Sequence, residues 1–135
     1  RMRAEGSCLC GAVTYSATSI DANLHVCHCW MCRRWVGGPT FSVAAQGVVF
    51  RGEENIACYR SSARAERGFC KICGSSLFYR SRGSDHYSLG MGSIRNQQSL
   101  KVSKEIYIEQ KPPGYDLQGS HPRLRGAETD ASDDG

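Results

Sequence analysis

Short alternations of apolar and polar residues, separated by glycine and polar turns, dominate the hydrophobic pattern of the chain. Only residues 29–38 could form a helix, and the run Gly37-Gly38-Pro39 would end it. Short strands at this spacing predict an all-β domain of stacked antiparallel sheets. The predicted strands are 11–17, 40–45, 47–52, 55–62, 65–70, 75–82, 86–94 and 104–110.

Length and composition predict one domain followed by a tail. A chain of 135 residues is the usual size of a single domain. Residues 1–117 carry the apolar pattern, and residues 118–135 hold few apolar side chains and end in an acidic run. Such a segment cannot bury a core of its own, so we expect 118–135 to be an acidic, loosely held tail.

Charge and hydropathy limit the expected partners and location. The formal net charge is +4, from 17 basic and 13 acidic residues, which favours small anionic partners. No stripe of interleaved aromatic and basic residues is present, so nucleic acid is not the expected partner. The sequence shows neither a membrane span nor a secretory signal, so we expect a cytoplasmic protein that could form a homo-oligomer.

Eight cysteines fall in close clusters whose spacing suits a metal better than disulfides. Cys8 and Cys10 form one pair, Cys70 and Cys73 form another, and a glycine follows each pair. Glycine lets the backbone turn tightly after a ligand. Two pairs far apart in sequence can supply four thiolates to one structural zinc, which would cross-link this small chain.

Cys27, Cys29 and Cys32 form a second cluster that lacks a fourth ligand in sequence. The fourth ligand could be His28, although a residue between two ligands normally points away, or Cys58, which its apolar context suggests is buried. We favour an exchangeable water or substrate, because three protein ligands and an open position are typical of catalytic zinc. Arg33 and Arg34 follow Cys32 directly and could bind a substrate carboxylate.

The chain resembles the glutathione-dependent formaldehyde-activating enzyme family, which includes the centromere-protein-V relatives. The motifs that carry the resemblance are "GSCLCGAV", "CHCWMCRR", "YRSS", "RGFCKICGSSL", "GSI" and "KPPGYD", in family order between residues 6 and 117. The resemblance implies a folded-over β-tent with two zinc ions, a structural one on Cys8, Cys10, Cys70 and Cys73 and a catalytic one on Cys27, Cys29 and Cys32. It also implies a carbon–sulfur lyase related to S-(hydroxymethyl)glutathione synthase, with a glutathione-like thiol and an aldehyde such as formaldehyde as partners.

The chain departs from the family pattern around the expected pocket and keeps the metal scaffold. Trp30 stands where a small residue is common, Gly114 where Trp is common, and Ile94-Arg95 where Leu-Asp is common. The substrate is therefore less defined by the resemblance than the metal sites are. The alternative function is a zinc-scaffolded module that binds protein or nucleic acid without catalysis, since one fold can host unrelated functions.

Overall fold

The computed structural model describes residues 1–129, and its strands form one mostly antiparallel sheet. This confirms the all-β prediction. The α-helix of the described residues, α1, spans Trp30–Val36 and ends at Gly37, as predicted. The strands are β1 (Met2–Ser7), β2 (Thr14–Ile20), β3 (Asn23–Cys27), β4 (Thr40–Arg51), β5 (Ile56–Arg60), β6 (Ala65–Cys70), β7 (Ser76–Ser81), β8 (Tyr87–Gly90) and β9 (Lys101–Ile106).

The long strand β4 organises the sheet. The strand order is β1-β2-β4-β8-β7-β6-β5, and β3 pairs with β4 and with β9. The segments 40–45 and 47–52, predicted as two strands, are one strand, because pairing with β2 continues from Ser19↔Gln46 to Ala17↔Val48. The pairing of β3 with β9 is parallel, with Val26 opposite Glu105. This pair differs from the antiparallel arrangement expected throughout.

Apolar side chains of β2, β4, β7 and β8 fill the core. Val13, Ile20, Leu77 and Leu89 are each fully buried. An aromatic cluster extends this core, with Phe50 against Tyr15, Phe78 and Tyr87 at centroid distances of 5.8, 5.3 and 5.6 Å. Burying each such side chain contributes about 1.5–3 kcal/mol, so the core supplies the rigid base from which the cysteine loops project.

The C-terminal segment, residues 118–129, which the sequence analysis assigns to a loosely held tail, makes backbone hydrogen bonds to β9 and to Ile108. Leu124 donates its N–H to the carbonyl of Glu105, and Ile108 donates to the carbonyl of Leu124. A short 3₁₀ turn over Gly126–Glu128 follows. Polar and backbone contacts, which apolar content does not report, fix this segment against β9. The remainder of the predicted tail, 130–135, lies outside the described residues.

Among residues 1–129, no helix is both long enough and apolar enough to span a membrane.

Candidate metal centres and their pocket

The four-cysteine centre brings two distant loops together. Cys8 and Cys10 lie between β1 and β2, Cys70 ends β6, and Cys73 lies in the turn before β7. All four sulfurs lie within 4.8 Å of one another. The Cys8–Cys10 and Cys10–Cys70 sulfur distances are 3.7 and 3.8 Å. A tetrahedron with Zn–S bonds of about 2.3 Å has edges of about 3.8 Å, so this donor set fits zinc.

Backbone N–H groups surround these sulfurs. Val13 donates to the sulfur of Cys8 at 3.3 Å, and Ala12 donates to that of Cys10 at 3.5 Å. The glycines after each pair, Gly11 and Gly74, have φ angles of +83° and +79°. They therefore adopt the left-handed conformation, which glycine reaches without steric cost and which suits the tight turns expected after each pair. Such N–H···S contacts stabilise thiolates, the form in which cysteine binds a metal.

The three-cysteine centre forms where β3 runs into α1. Cys27 ends β3, Cys29 caps the N-terminus of α1, and Cys32 lies within the helix. Their three sulfurs lie within 4.8 Å of one another. The Cys29 sulfur accepts the N–H of Cys32 at 3.4 Å, which satisfies one free donor of the first helical turn. The tight turn at the start of α1 thus brings the three sulfurs to one face, where they could hold a metal ion.

Within residues 1–129, no histidine, cysteine or carboxylate joins this centre as a fourth ligand. The ring of His28 is fully buried and points to Tyr115 and Glu105. Cys58 lies outside both clusters. The prediction that Cys58 is buried was wrong, because it lies on β5, the edge strand of the sheet, and is exposed. Neither His28 nor Cys58 therefore lies in the cluster, and the exchangeable fourth ligand stays a prediction.

The thiols of the three-cysteine centre do not titrate alike. Hydrogen bonds from Cys27 and then Cys29 lower the pKa of the Cys32 thiol, while burial opposes them. A hydrogen bond from Thr40 and the positive charge of Arg67 also lower that pKa. These contacts and the charge of Arg67 therefore favour the thiolate form of Cys32.

Arg67 is a site residue that the sequence analysis missed. It lies on β6, is 5% exposed, and places Nη1 3.8 Å from the Cys32 sulfur. Its guanidinium carbon is 5.0 Å from the ring centroid of Trp35 and 5.3 Å from that of Tyr79, and its buried Nε has no hydrogen-bond partner. The alternation in "AERGFC" places Arg67 on the inward face with buried Ala65, which was the only sequence signal available.

Arg33 and Arg34, the predicted substrate contacts, lie on α1 but outside the pocket lining. Arg33 is partly buried and donates through Nε to the carbonyl of His28 at 2.9 Å. Arg34 is exposed and lies 5.7 Å from the ring centroid of Trp30. Their role in substrate binding stays a prediction.

A pocket of about 960 Å³ opens onto the three-cysteine centre. Cys27, Cys29 and Cys32 all line it, and Arg67 lies in its wall. Both tryptophans line it too, as do the exposed Leu9 and the buried Cys8 of the four-cysteine loops. The volume is at the upper end of the about 300–1,000 Å³ typical of small-molecule sites. The three cysteines thus border a cavity of the size that small molecules occupy.

The fold and site define a class, all-β domains with a closed four-cysteine cluster and an open three-cysteine cluster beside a pocket. The sequence profile of the glutathione-dependent formaldehyde-activating enzyme family matches residues 3–110. The chain belongs to this family.

Three proteins illustrate the relationship. An uncharacterized lyase of Schizosaccharomyces pombe is 34% identical over 116 residues, covering 84% of each chain. A Halomonas elongata protein, named as a candidate glutathione-dependent formaldehyde-activating enzyme, is 32% identical over 87 residues, 57% of this chain and 55% of that one. A Rhodobacter sphaeroides crystal structure shares the fold, with a TM-score of 0.58 at 23% identity over 88% of this chain and 98% of that one.

Proposed function

We propose that this protein is a zinc-dependent carbon–sulfur lyase that joins and separates a glutathione-like thiol and an aldehyde. One observation carries the proposal: three cysteine sulfurs converge on a large pocket, and no fourth protein ligand joins them within residues 1–129. Membership of a formaldehyde-activating family and the name of the fission-yeast relative, a lyase, support the same reaction class.

Two zinc ions would have different roles. Cys8, Cys10, Cys70 and Cys73 would hold a structural ion with a complete set of four ligands. Cys27, Cys29 and Cys32 would hold a catalytic ion that, when bound, accepts the substrate sulfur and keeps it deprotonated. The thiolate-rich donor set favours a soft sulfur ligand over water.

Arg67 would supply the positive charge that this arrangement needs. Three thiolates exceed the charge of Zn²⁺ by one, and a substrate thiolate would add another negative charge. The positively charged guanidinium of Arg67 lies beside the Cys32 sulfur, with Nη1 3.8 Å away. Stacking contacts with Trp35 and Tyr79 hold it in place, so little reorientation is required when a second anion enters.

The proposed reaction changes no oxidation state, so it needs no redox partner. In the joining direction, the thiolate electron pair forms the new C–S bond with the aldehyde carbon. The C=O π pair moves to oxygen, which takes up one proton and becomes the hydroxyl of the adduct. In the reverse direction that proton leaves, C=O re-forms and the C–S bond breaks. The apolar pocket wall, which includes Trp35, Phe41 and Met91, would limit competing water around the reacting atoms.

Arg34 remains a candidate contact for a substrate carboxylate. Its guanidinium stacks near the exposed Trp30, whose ring lines the pocket. Arg33 is already engaged with the carbonyl of His28, so we assign it a lesser part in binding.

The experiment that tests this proposal measures the rate of exchange between free formaldehyde and its thiol adduct. A rate is needed because a thiol and formaldehyde also react without an enzyme. NMR exchange spectroscopy of ¹³C-formaldehyde with glutathione should show faster interconversion with the adduct when zinc-loaded protein is added. Cys29→Ala should return the rate to the uncatalysed value. Cys58→Ala, an exposed cysteine outside both clusters, is the matched control and should keep the acceleration.

The alternative, a zinc-scaffolded binding module, has one observation in its favour. Leu9 and Ile72, at the tips of the two four-cysteine loops, are 88% and 62% exposed. Cobalt-substituted protein separates the two functions, because a thiol that binds the metal strengthens the sulfur-to-cobalt charge-transfer band. If glutathione and other small thiols leave that band unchanged and exchange is not accelerated, the binding module becomes the better proposal.

A further inference from the structure

Glu105 is a buried acidic residue that the proposed reaction does not use. It lies on β9 and is 1% exposed. Its Oε1 is 2.7 Å from Nε2 of His28, and its Oε2 is 2.6 Å from Nε2 of His121 and 2.9 Å from Nε of Arg123. A carboxylate with three such partners is expensive to bury unless the whole arrangement is in place.

His28 links Glu105 to the metal-binding loop, because it lies between Cys27 and Cys29. Its Nδ1 is 2.9 Å from the hydroxyl of Tyr115, so both ring nitrogens are engaged. Its backbone N–H donates to the carbonyl of Ile106 at 3.1 Å, and its own carbonyl accepts from Arg33. The residue between two ligands is therefore held at four points by groups outside the loop.

The C-terminal segment holds the other side of Glu105. The backbone N–H of Glu105 donates to the carbonyl of Pro122 at 3.0 Å, and Leu124 returns a hydrogen bond of 2.8 Å to the carbonyl of Glu105. Burial raises the pKa of Glu105, but hydrogen bonds from His121 and His28 outweigh it, so the carboxyl is ionised. His121 and Arg123 lie beyond residue 110, where the family match ends.

We propose that the C-terminal segment is a positioning element for the three-cysteine centre. His121 and Arg123 of this segment contact Glu105, and Glu105 in turn contacts His28, which lies between two of the cysteines. Removing these outer contacts would let the His28 backbone reorient and would move Cys27 and Cys29 relative to Cys32. Outer partners of a metal site typically contribute 10–100-fold to metal affinity. Among the hydrogen bonds and ion pairs of residues 1–129, none joins the four-cysteine centre to this network, so that centre provides an internal reference.

The test uses the full-length, zinc-loaded protein with His121→Ala, and with His86→Ala as the control. His86 is an exposed histidine that contacts Gln46 and Asp85, away from both clusters. Each protein is titrated with a chelator and pulsed with a thiol-alkylating reagent, and tandem mass spectrometry locates the modified cysteines. No substrate is present, so the result is independent of whether the protein is a lyase.

In His121→Ala we expect Cys27, Cys29 and Cys32 to be alkylated at roughly tenfold lower chelator concentration, the lower end of the range for outer partners. Alkylation of the four-cysteine set should match that in His86→Ala. His121→Gln, whose amide can still donate to Glu105, should restore much of the protection. Equal exposure of both clusters, no difference from the control, or a lower melting temperature without selective exposure would overturn the proposal.

Discussion

At the scale of single residues, the environment of Arg67 is unusual. Within residues 1–129 it forms no ion pair with a carboxylate, and the anionic group that it contacts is the Cys32 sulfur. Its Nε has no hydrogen-bond partner, and a buried unpaired donor costs about 1–3 kcal/mol. Stacking on two aromatic rings offsets part of this cost. A charge kept in such a place is suited to balancing the thiolates beside it.

Arg67→Met should therefore weaken thiol binding more than it weakens the fold. We expect glutathione affinity for the cobalt-substituted protein to fall about tenfold, equivalent to roughly 1.4 kcal/mol. The glutathione affinity of Arg67→Lys should lie between those of Arg67→Met and the wild type, because lysine keeps the charge without the planar stacking. The measurement is a glutathione titration of the charge-transfer band.

Arg80→Met is the matched control for Arg67→Met. Arg80 also stacks on an aromatic ring, that of Tyr87, and also has a buried Nε without a partner, but it pairs with Glu66 and lies outside the pocket lining. Its replacement should affect stability and leave thiol affinity unchanged. Equal loss of affinity in the two variants would show that the effect of Arg67 is not specific to the site.

At the scale of elements, the C-terminal segment stabilises β9. A chain ending at residue 118 would lose the hydrogen bonds of Pro122 and Leu124 and both Oε2 partners of Glu105. Each hydrogen bond contributes about 0.5–1.5 kcal/mol, so unfolding free energy should fall by at least about 2 kcal/mol. Denaturant unfolding of this chain, with a chain ending at residue 129 as the reference, measures the difference. Coincident unfolding curves would mean that these contacts contribute nothing to stability.

Sequence patterns predicted elements where local alternation was strong. The strand β6 was predicted with the bounds it has, and α1 was predicted from "CWMCRRWVGG". β1 was missed because its alternating positions are small or charged, as in "MRAEGS", and the short strand β3, "NLHVC", was missed as well. Their strand character comes from pairing with β2, β4 and β9, which no local pattern contains.

The candidate site shows the same division between features that local sequence patterns predict and contacts that only the fold creates. Cysteine spacing was sufficient to predict both clusters, since chelation is largely decided by residue type and separation. Arg67 and Glu105 could not be found by that route. Arg67 meets Cys32 only through tertiary contacts between the side chains of β6 and α1. Glu105 meets His28 only through the parallel pairing of β3 with β9.

At the scale of the whole molecule, the two centres should differ in what their loss does to the fold. The four-cysteine centre joins loops about 60 residues apart, whereas the other lies within six consecutive residues. Cys73→Ala should therefore lower the melting temperature strongly. Cys29→Ala should remain folded with about one zinc fewer per chain, and lose only the capping contribution of about 1 kcal/mol. Thermal melts combined with metal analysis of the two variants distinguish these outcomes. Equal destabilisation by Cys73→Ala and Cys29→Ala would indicate that both centres are structural.

The parallel pairing of β3 with β9 also sets an order of assembly during synthesis. Domains form progressively as the chain leaves the ribosome, and contacts between distant segments form late. The ligands of the four-cysteine centre are all present once residue 73 has emerged, whereas the loop around His28 gains its partners only after residues 101–124 follow. A nascent chain would thus complete the four-cysteine centre before it forms the outer contacts of the three-cysteine centre. Metal loading of the four-cysteine centre would therefore precede the final positioning of Cys27 and Cys29.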